Sequence, residues 1–184
     1  MRLSLEALIA ETGGSAAVYG FSSGAVLAAD AAARGAAITA LVLLEPPLPS
    51  SDESDESQAE LTELLAAGRR GDAVARFLAD VGLPPEAVEG MRQSPDWPGL
   101  EAMAHTMLYD GEISEDRELW SERAASVTAP TLVLFSEGTS GYLGDSARVA
   151  AEAIPGARLR ILPGEFHEVA PETLAAELTD FLAR

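Results

Sequence analysis

The stretch VYGFSSGAVLAADAAARG, Val18 to Gly35, decides how the chain is read. A mostly apolar run from Ser15 to Tyr19 meets Gly20-Phe21-Ser22-Ser23-Gly24 and passes at once into an alanine-rich segment. That pattern predicts strand, sharp turn, helix. The turn fits G-x-S-x-G, a nucleophile elbow with Ser22 at its tip. Gly20 and Gly24 are expected to remove side chains where strand and helix pass closely, so that a strained turn holds the hydroxyl clear. The following helix start points backbone N–H groups at the place where negative charge would develop. On its own the motif is weak, and the plainer reading of Ser22 is a turn residue. Its test is whether an acid and a histidine follow in the order Ser, acid, His.

Working outward, Ile38 to Leu44 (ITALVLL) is a continuous apolar run, as suits a strand covered on both faces. It stops at Glu45-Pro46-Pro47. Ser50 to Ser57 (SDESDES and its neighbouring serine) is polar and acidic and reads as a surface loop. From Gln58 to Val127 the character changes. Segments 59–67, 72–81, 86–92 and 100–109 have helical spacing, with breaks at Gly68, Gly71, Pro84-Pro85, Pro95 and Pro98. Asp110-Gly111 reads as a turn. The sheet pattern resumes at Pro130 to Ser136 (PTLVLFS), followed by a crossover helix over 145–154 and a last strand over 157–162. Residues 163–167 (PGEFH) read as a loop, and Pro171 to Leu182 as a closing helix. Ahead of the elbow, the opening residues form an amphipathic helix with Leu5, Leu8 and Ile9 inward. Four strands alternating with helices imply an α/β protein whose mostly parallel sheet of about four strands has right-handed crossovers. Residues 1–57 and 128–184 form its core, and 58–127 a helical insertion.

Composition limits the function classes. The 184 residues carry 30 acids against 12 basic residues, a formal net charge of -18. Every basic residue is arginine, and lysine is absent. Such a surface repels phosphate backbones and anionic lipid, so neither nucleic acid nor membrane is an expected partner. The acid excess suits a high-salt interior, where screening relieves self-repulsion. A GC-rich genome would explain the missing lysine but not the surplus of acids. There is no cysteine, hence no disulfide and no thiolate chemistry, and two histidines make a His-rich metal site a poor reading. No apolar run reaches the ~18 residues of a membrane span. Glu6 and Glu11 interrupt any signal-peptide pattern, and a cytoplasmic location is expected. No G-x-G-x-x-G run, phosphate loop or metal-ligand spacing occurs, so no cofactor is expected.

The elbow GFSSG, the strand ending in LLEPP, the helical insertion, APTLVLFSEG, IPGARLRILPGEFHEVAPE and the final amphipathic helix together resemble the α/β-hydrolase family. The resemblance covers nearly the whole chain, and stretches such as AAGRRGDAV look like a bacterial subgroup of small members. It implies that the elbow strand is the family's fifth, that the later three are its sixth to eighth, and that residues 58–127 are a cap over the active site. It also implies that the first four strands are lacking, which makes this a reduced, N-terminally truncated version of the fold. One usual oxyanion donor would be lacking with them, and the Ser23 N–H is the one carried over. The elbow strand is then an open edge, and a homodimer joining two such edges is the expectation.

The resemblance further assigns Ser22 as nucleophile and His167, in the loop after the last strand, as its base. The family's usual acid position is occupied by Thr139. Some members place the acid after the sixth strand, where Glu45 stands. Glu45 is therefore the expected partner of His167, with Glu137 the second choice. A histidine can take the serine proton as attack begins, and a carboxylate on its far nitrogen fixes the tautomer. The implied activity is hydrolysis of a small, fairly apolar acyl ester through a covalent serine ester. A peroxidase or lyase variant of the triad uses the same residue types. Phe21, Trp97, Met103, Met107 and Tyr109, with Met91, are candidates to line a substrate pocket. Trp97, Tyr109 and the methionines serve equally well as the insertion's own core. The plainer readings remain open: His167 as an exposed loop histidine, Glu45 as a solvated or capping acid, His105 as a packed or surface histidine. Two further function classes remain as well. One is a catalytically inactive binding or structural protein that keeps the frame. The other is a half-enzyme that needs a second chain.

Overall fold

Each apolar run of the sheet pattern becomes a strand in the computed structural model, which describes residues 2–48, 54–113, 117–139 and 141–183. The chain divides into two compact units, Met1–Leu48 with Asp116–Arg184, and Pro49–Glu115.

The first unit is built on four parallel strands in the order β1-β2-β3-β4: β1 Ala16–Phe21, β2 Ile38–Leu44, β3 Thr131–Ser136 and β4 Arg158–Leu162. Side chains alternate across the pleat, so each strand feeds two cores. Val42 and Leu44 of β2, Leu132 and Leu134 of β3 and Leu162 of β4 form one buried cluster. Phe181, Leu174 and Leu178 of the closing helix α10 (Pro171–Leu182) cover it. The opposite face, with Leu41, Leu43 and Val133, meets α2 (Ser23–Ala33) and α9 (Tyr142–Ala153). Alanines at 25, 28, 29, 31 and 32 are buried on α2, and their small side chains let the helix lie close on the sheet. α8 (Arg117–Ala124) packs against α2 and α9, so it belongs to the sheet unit and not to the helical stretch expected over 58–127. α1 (Arg2–Glu11) packs on α2. Ile9 is buried there, but Leu8 is largely exposed, contrary to the inward position expected of it.

A two-stranded antiparallel pair, β5 (Gly164–Glu165) and β6 (Glu168–Val169), takes the place of the loop expected after β4. Two residues per strand are too few for any alternation to register in the sequence.

Among its described residues the second unit has helices and turns but no strand. It contains α3 (Ser54–Ala66), α4 (Arg70–Asp80), α5 (Pro85–Arg92), α6 (Trp97–Met103), a 3₁₀ turn at Ala104–Thr106 and α7 (Met107–Ile113). Two buried clusters hold it, Leu61, Leu64 and Ala73 in one and Val74, Trp97 and Ala104 in the other. The acidic loop expected over 50–57 ends early: Ser54 onward is helical, and Ser50 to Glu53 lie outside the described residues. The helix expected over 100–109 is two helices joined by the 3₁₀ turn. Asp110-Gly111, read as a turn, lies within α7. No described helix is long and apolar enough to cross a membrane.

Candidate active site

The C-terminal ends of the parallel strands bring the candidate residues together. Ser22 lies between the last residue of β1 and the first of α2. Its backbone is at φ 54 and ψ -130, a region that side chains rarely occupy. Two bonds pin it there: its N–H donates to the Leu44 carbonyl at 2.9 Å, and its carbonyl accepts the Ala25 N–H at 2.8 Å. Gly20 makes the turn feasible, because a Cβ on it would stand 2.5 Å from the Gly24 carbonyl oxygen. Gly24 has no such role. A Cβ there meets open space, which corrects the expectation that both glycines relieve a close approach. Ser23, the expected oxyanion donor, is the first residue of α2.

Glu45 follows β2 at the same end of the sheet, with φ 51. Its N–H donates to the Leu134 carbonyl at 2.9 Å, which continues the ladder to β3 by one residue. The side chain is fully buried. One carboxylate oxygen, Oε1, accepts the Ser136 N–H at 2.9 Å, and the other pairs with Nδ1 of His167. Burial alone raises the pKa of this carboxyl. Hydrogen bonds from His167 and the Ser136 N–H outweigh burial and hold it below its ordinary value. Glu45 is therefore ionised, and the carboxylate fixes which imidazole nitrogen faces it.

His167 stands in the turn between β5 and β6, at φ 56, with about a quarter of its side chain exposed. Its N–H donates to Oγ1 of Thr139 at 2.8 Å. The hairpin reaches β3 through two glycines. A Cβ on Gly138 would meet the Glu165 backbone at 2.6 Å, and one on Gly164 would meet the Glu168 carbonyl oxygen at 2.2 Å. The Phe21 ring, one residue before Ser22, lies 4.5 Å from the His167 ring between centroids. The elbow, the buried acid and the histidine thus occupy one corner of the sheet unit.

The remaining candidates fall elsewhere. Glu137, the second choice of acid, is exposed and borders a groove with Phe135, Arg148 and Ile161. In the helical unit, Trp97 is buried with Val74 and Ala104, and Met91 and Met107 pack on that cluster. The Trp97 indole N–H donates to Glu101 at 3.2 Å, and the Arg92 guanidinium stacks on its ring. Met103 and Tyr109 are exposed, with His105 edge-on to Tyr109. Trp97, Met91 and Met107 are thus core of the helical unit. No group of three or more His, Asp or Glu side chains among the described residues is arranged to hold a metal ion. Ser136 carried no signal in the sequence as part of the site. Thr139 stood out only as the residue occupying the usual acid position.

No protein-family model matches the chain, and no curated protein does. Solved structures do. An α/β hydrolase from Sphaerobacter thermophilus DSM 20745 is 42% identical, over 97% of this chain and 71% of that one, with a TM-score of 0.87. A hydrolase from Pseudomonas aeruginosa PA01 is 22% identical over 98% of this chain and 69% of its own, with a TM-score of 0.75. The α/β hydrolase MGS-M2 from a Medee basin deep-sea metagenome library is 18% identical over 100% and 70%, with a TM-score of 0.74. The latter two share the fold, whereas the identity to the Sphaerobacter protein extends to sequence over nearly the whole chain. With its parallel sheet, its elbow after β1 and that degree of identity, the chain belongs to the α/β-hydrolase family.

Proposed function

We propose that the protein is a serine hydrolase that cleaves a small, fairly apolar acyl ester, with Ser22 as nucleophile, His167 as base and Glu45 as the acid that orients it. The observation that carries this reading is the buried Glu45 carboxylate on Nδ1 of His167, beside a serine held at φ 54. A solvated acid or a loose surface histidine would have no reason to share that corner.

A serine hydroxyl is a poor nucleophile near neutral pH, because it is not ionised. With Nδ1 committed to Glu45, Nε2 is the nitrogen left to accept the Ser22 proton as Oγ attacks the acyl carbon. The imidazolium that forms is stabilised by the carboxylate, which stays charged. The Ser23 N–H and the start of α2 offer the developing oxyanion a donor and a favourable dipole. Collapse breaks the ester C–O bond, and the departing alkoxide takes the proton from Nε2. Water then attacks the Ser22 ester and gives its proton to Nε2, and the acid is released as the Ser22 C–O bond breaks and Oγ takes that proton back. Phe21, stacked beside His167, supplies apolar surface at the reacting centre.

The test is hydrolysis of p-nitrophenyl acetate and butyrate, in low and multimolar salt, by the wild type, Ser22→Ala, His167→Ala and Glu45→Gln. Because the three residues act as a unit, each of the first two should cost at least about 10³-fold in kcat. Glu45→Gln should cost about 10²–10⁴-fold with little change in KM, since it presents a wrong hydrogen-bond partner to Nδ1. Folded wild-type protein that shows no Ser22-dependent turnover and no labelling by a serine-directed phosphonate would leave the binding-protein reading in its place.

A further inference from the structure

Two buried hydroxyls stand behind the triad, and the chemistry above makes no use of them. Ser136 ends β3 and Thr139 follows three residues later; both are buried. Thr139 Oγ1 accepts the backbone N–H of His167 at 2.8 Å. Ser136 gives its N–H to Glu45 Oε1 at 2.9 Å, and its hydroxyl donates to the Glu165 carbonyl. The two hydroxyl oxygens lie 2.9 Å apart, and because the Ser136 proton goes to Glu165, the Thr139 hydroxyl donates to Ser136 Oγ. Thr139 therefore holds the base through its backbone and, through its hydroxyl, the residue whose N–H holds the acid.

We propose that Thr139 is a positioning residue, braced by Ser136, that sets Glu45 and His167 in register with each other so that the imidazole faces Ser22. The proposal rests on the triad reading above. The need for such a brace follows from how the partners arrive. Glu45 comes from the end of β2, deep in the sheet, whereas His167 sits on a hairpin of two residues per strand. A two-stranded ribbon that short is not stable alone. His167 also holds a positive φ, which for a non-glycine residue persists only where its surroundings over-determine it. The Thr139–His167 bond and the Ser136–Glu165 bond tie both sides of that turn to β3, the strand that also holds Glu45 through Ser136. A hydroxyl suits the task better than a carboxylate would. It can give a proton to the Ser136 hydroxyl while accepting one from the His167 N–H, and it adds no second negative charge to compete for the imidazole.

The experiment uses the full chain with Thr139→Val, which keeps the shape and removes the hydroxyl, and Thr139→Ser, which restores it. Thr139→Ala, which leaves room for water at the His167 N–H, serves if the valine variant does not fold. Two quantities are read: kcat and KM on p-nitrophenyl butyrate, and the downfield proton resonance of His167 Nδ1–H against Glu45. In Thr139→Val, kcat should fall about 10–100-fold at unchanged KM, as expected when reacting groups are displaced by a fraction of an ångström to one ångström. The resonance should vanish, as is expected also in Glu45→Gln. Thr139→Ser should keep the resonance and stay within about 3-fold of wild type, because the hydroxyl is what matters. A Thr139→Val protein that merely melts earlier, with kcat and the resonance intact, overturns the proposal. If the wild type shows no Ser22-dependent turnover, the triad reading fails separately, and the resonance decides. Its loss in Thr139→Val with retention in Thr139→Ser supports the brace, and its persistence in Thr139→Val overturns it.

Discussion

Ser22, Glu45 and His167 are the only non-glycine residues with positive φ among those described, and they are the three assigned to the proposed chemistry. Each stands where a strand or hairpin must turn its side chain toward a common point. The strain at Ser22 is the sharpest, because φ 54 with ψ -130 is a combination that essentially only glycine adopts without cost. Such a residue carries about 1–3 kcal/mol of backbone strain, held in place by the bonds to Leu44 and Ala25. Ser22→Gly should therefore stabilise the protein by about 1 kcal/mol after the extra chain entropy of glycine is set against it. That is a rise of about 2–4 °C in the melting temperature for a chain of this size. Ser22→Ala keeps the Cβ and should melt near the wild type. Both should be inactive if the hydroxyl is the nucleophile. Thermal melts of the two variants side by side check this: equal midpoints would mean that the elbow stores no strain.

At the scale of the element, the two glycines of the elbow behave oppositely. Gly20→Ala forces a Cβ into backbone atoms of Gly24 and Ala25 at 2.5 to 2.8 Å, and backbone cannot swing aside as a flexible side chain can. It should destabilise the protein by about 1–3 kcal/mol. Gly24→Ala places its methyl in open space on α2 and should gain up to about 1 kcal/mol of helix propensity. Urea unfolding of the pair gives the sign directly, and loss of stability in both would mean that Gly24 also sits at a tight contact. The contrast shows which part of the fold was legible in sequence. ITALVLL reads as a covered strand because a sheet buried on both faces needs an unbroken apolar run, and β2 occupies those seven residues. Pro171 to Leu182 reads as a helix for its period and its proline start, and α10 has those bounds. The break at Ala104–Thr106 was not legible, since no glycine or proline marks it. The brace was not legible either. Ser136 and Glu45 are 91 residues apart, and polar residues at a strand end carry no period that would tie one to the other. Nothing local at Gly24 distinguished it from Gly20, because the difference lies in what the helix passes.

At the scale of the molecule, β1 is an end of the sheet, and among the described residues no strand pairs with its far side. The N–H groups of Ala16 and Ser22 point to the β2 side, so by alternation those of Ala17, Tyr19 and Phe21 point outward. Tyr19 and Phe21 are 43% and 42% exposed. The edge is also unusual in charge: no charged residue occurs between Glu11 and Asp30, in a chain whose net charge is -18. Natural edges are commonly guarded by charge or proline, and this one has neither. The homodimer expected from the sequence is accordingly proposed here as two β1 edges paired to each other. Its formation opposes two bodies of the same strong sign, so its salt dependence should be steep. Repulsion acts over about 10 Å at 0.1 M salt and about 3 Å at 1 M. Light scattering should therefore give the mass of one chain in dilute buffer and of two in multimolar salt. Tyr19→Lys, which puts a charge in the middle of the edge, should keep the protein monomeric in both. A single-chain mass at every salt and protein concentration would remove the dimer. A dimer that Tyr19→Lys leaves untouched would move the contact away from β1.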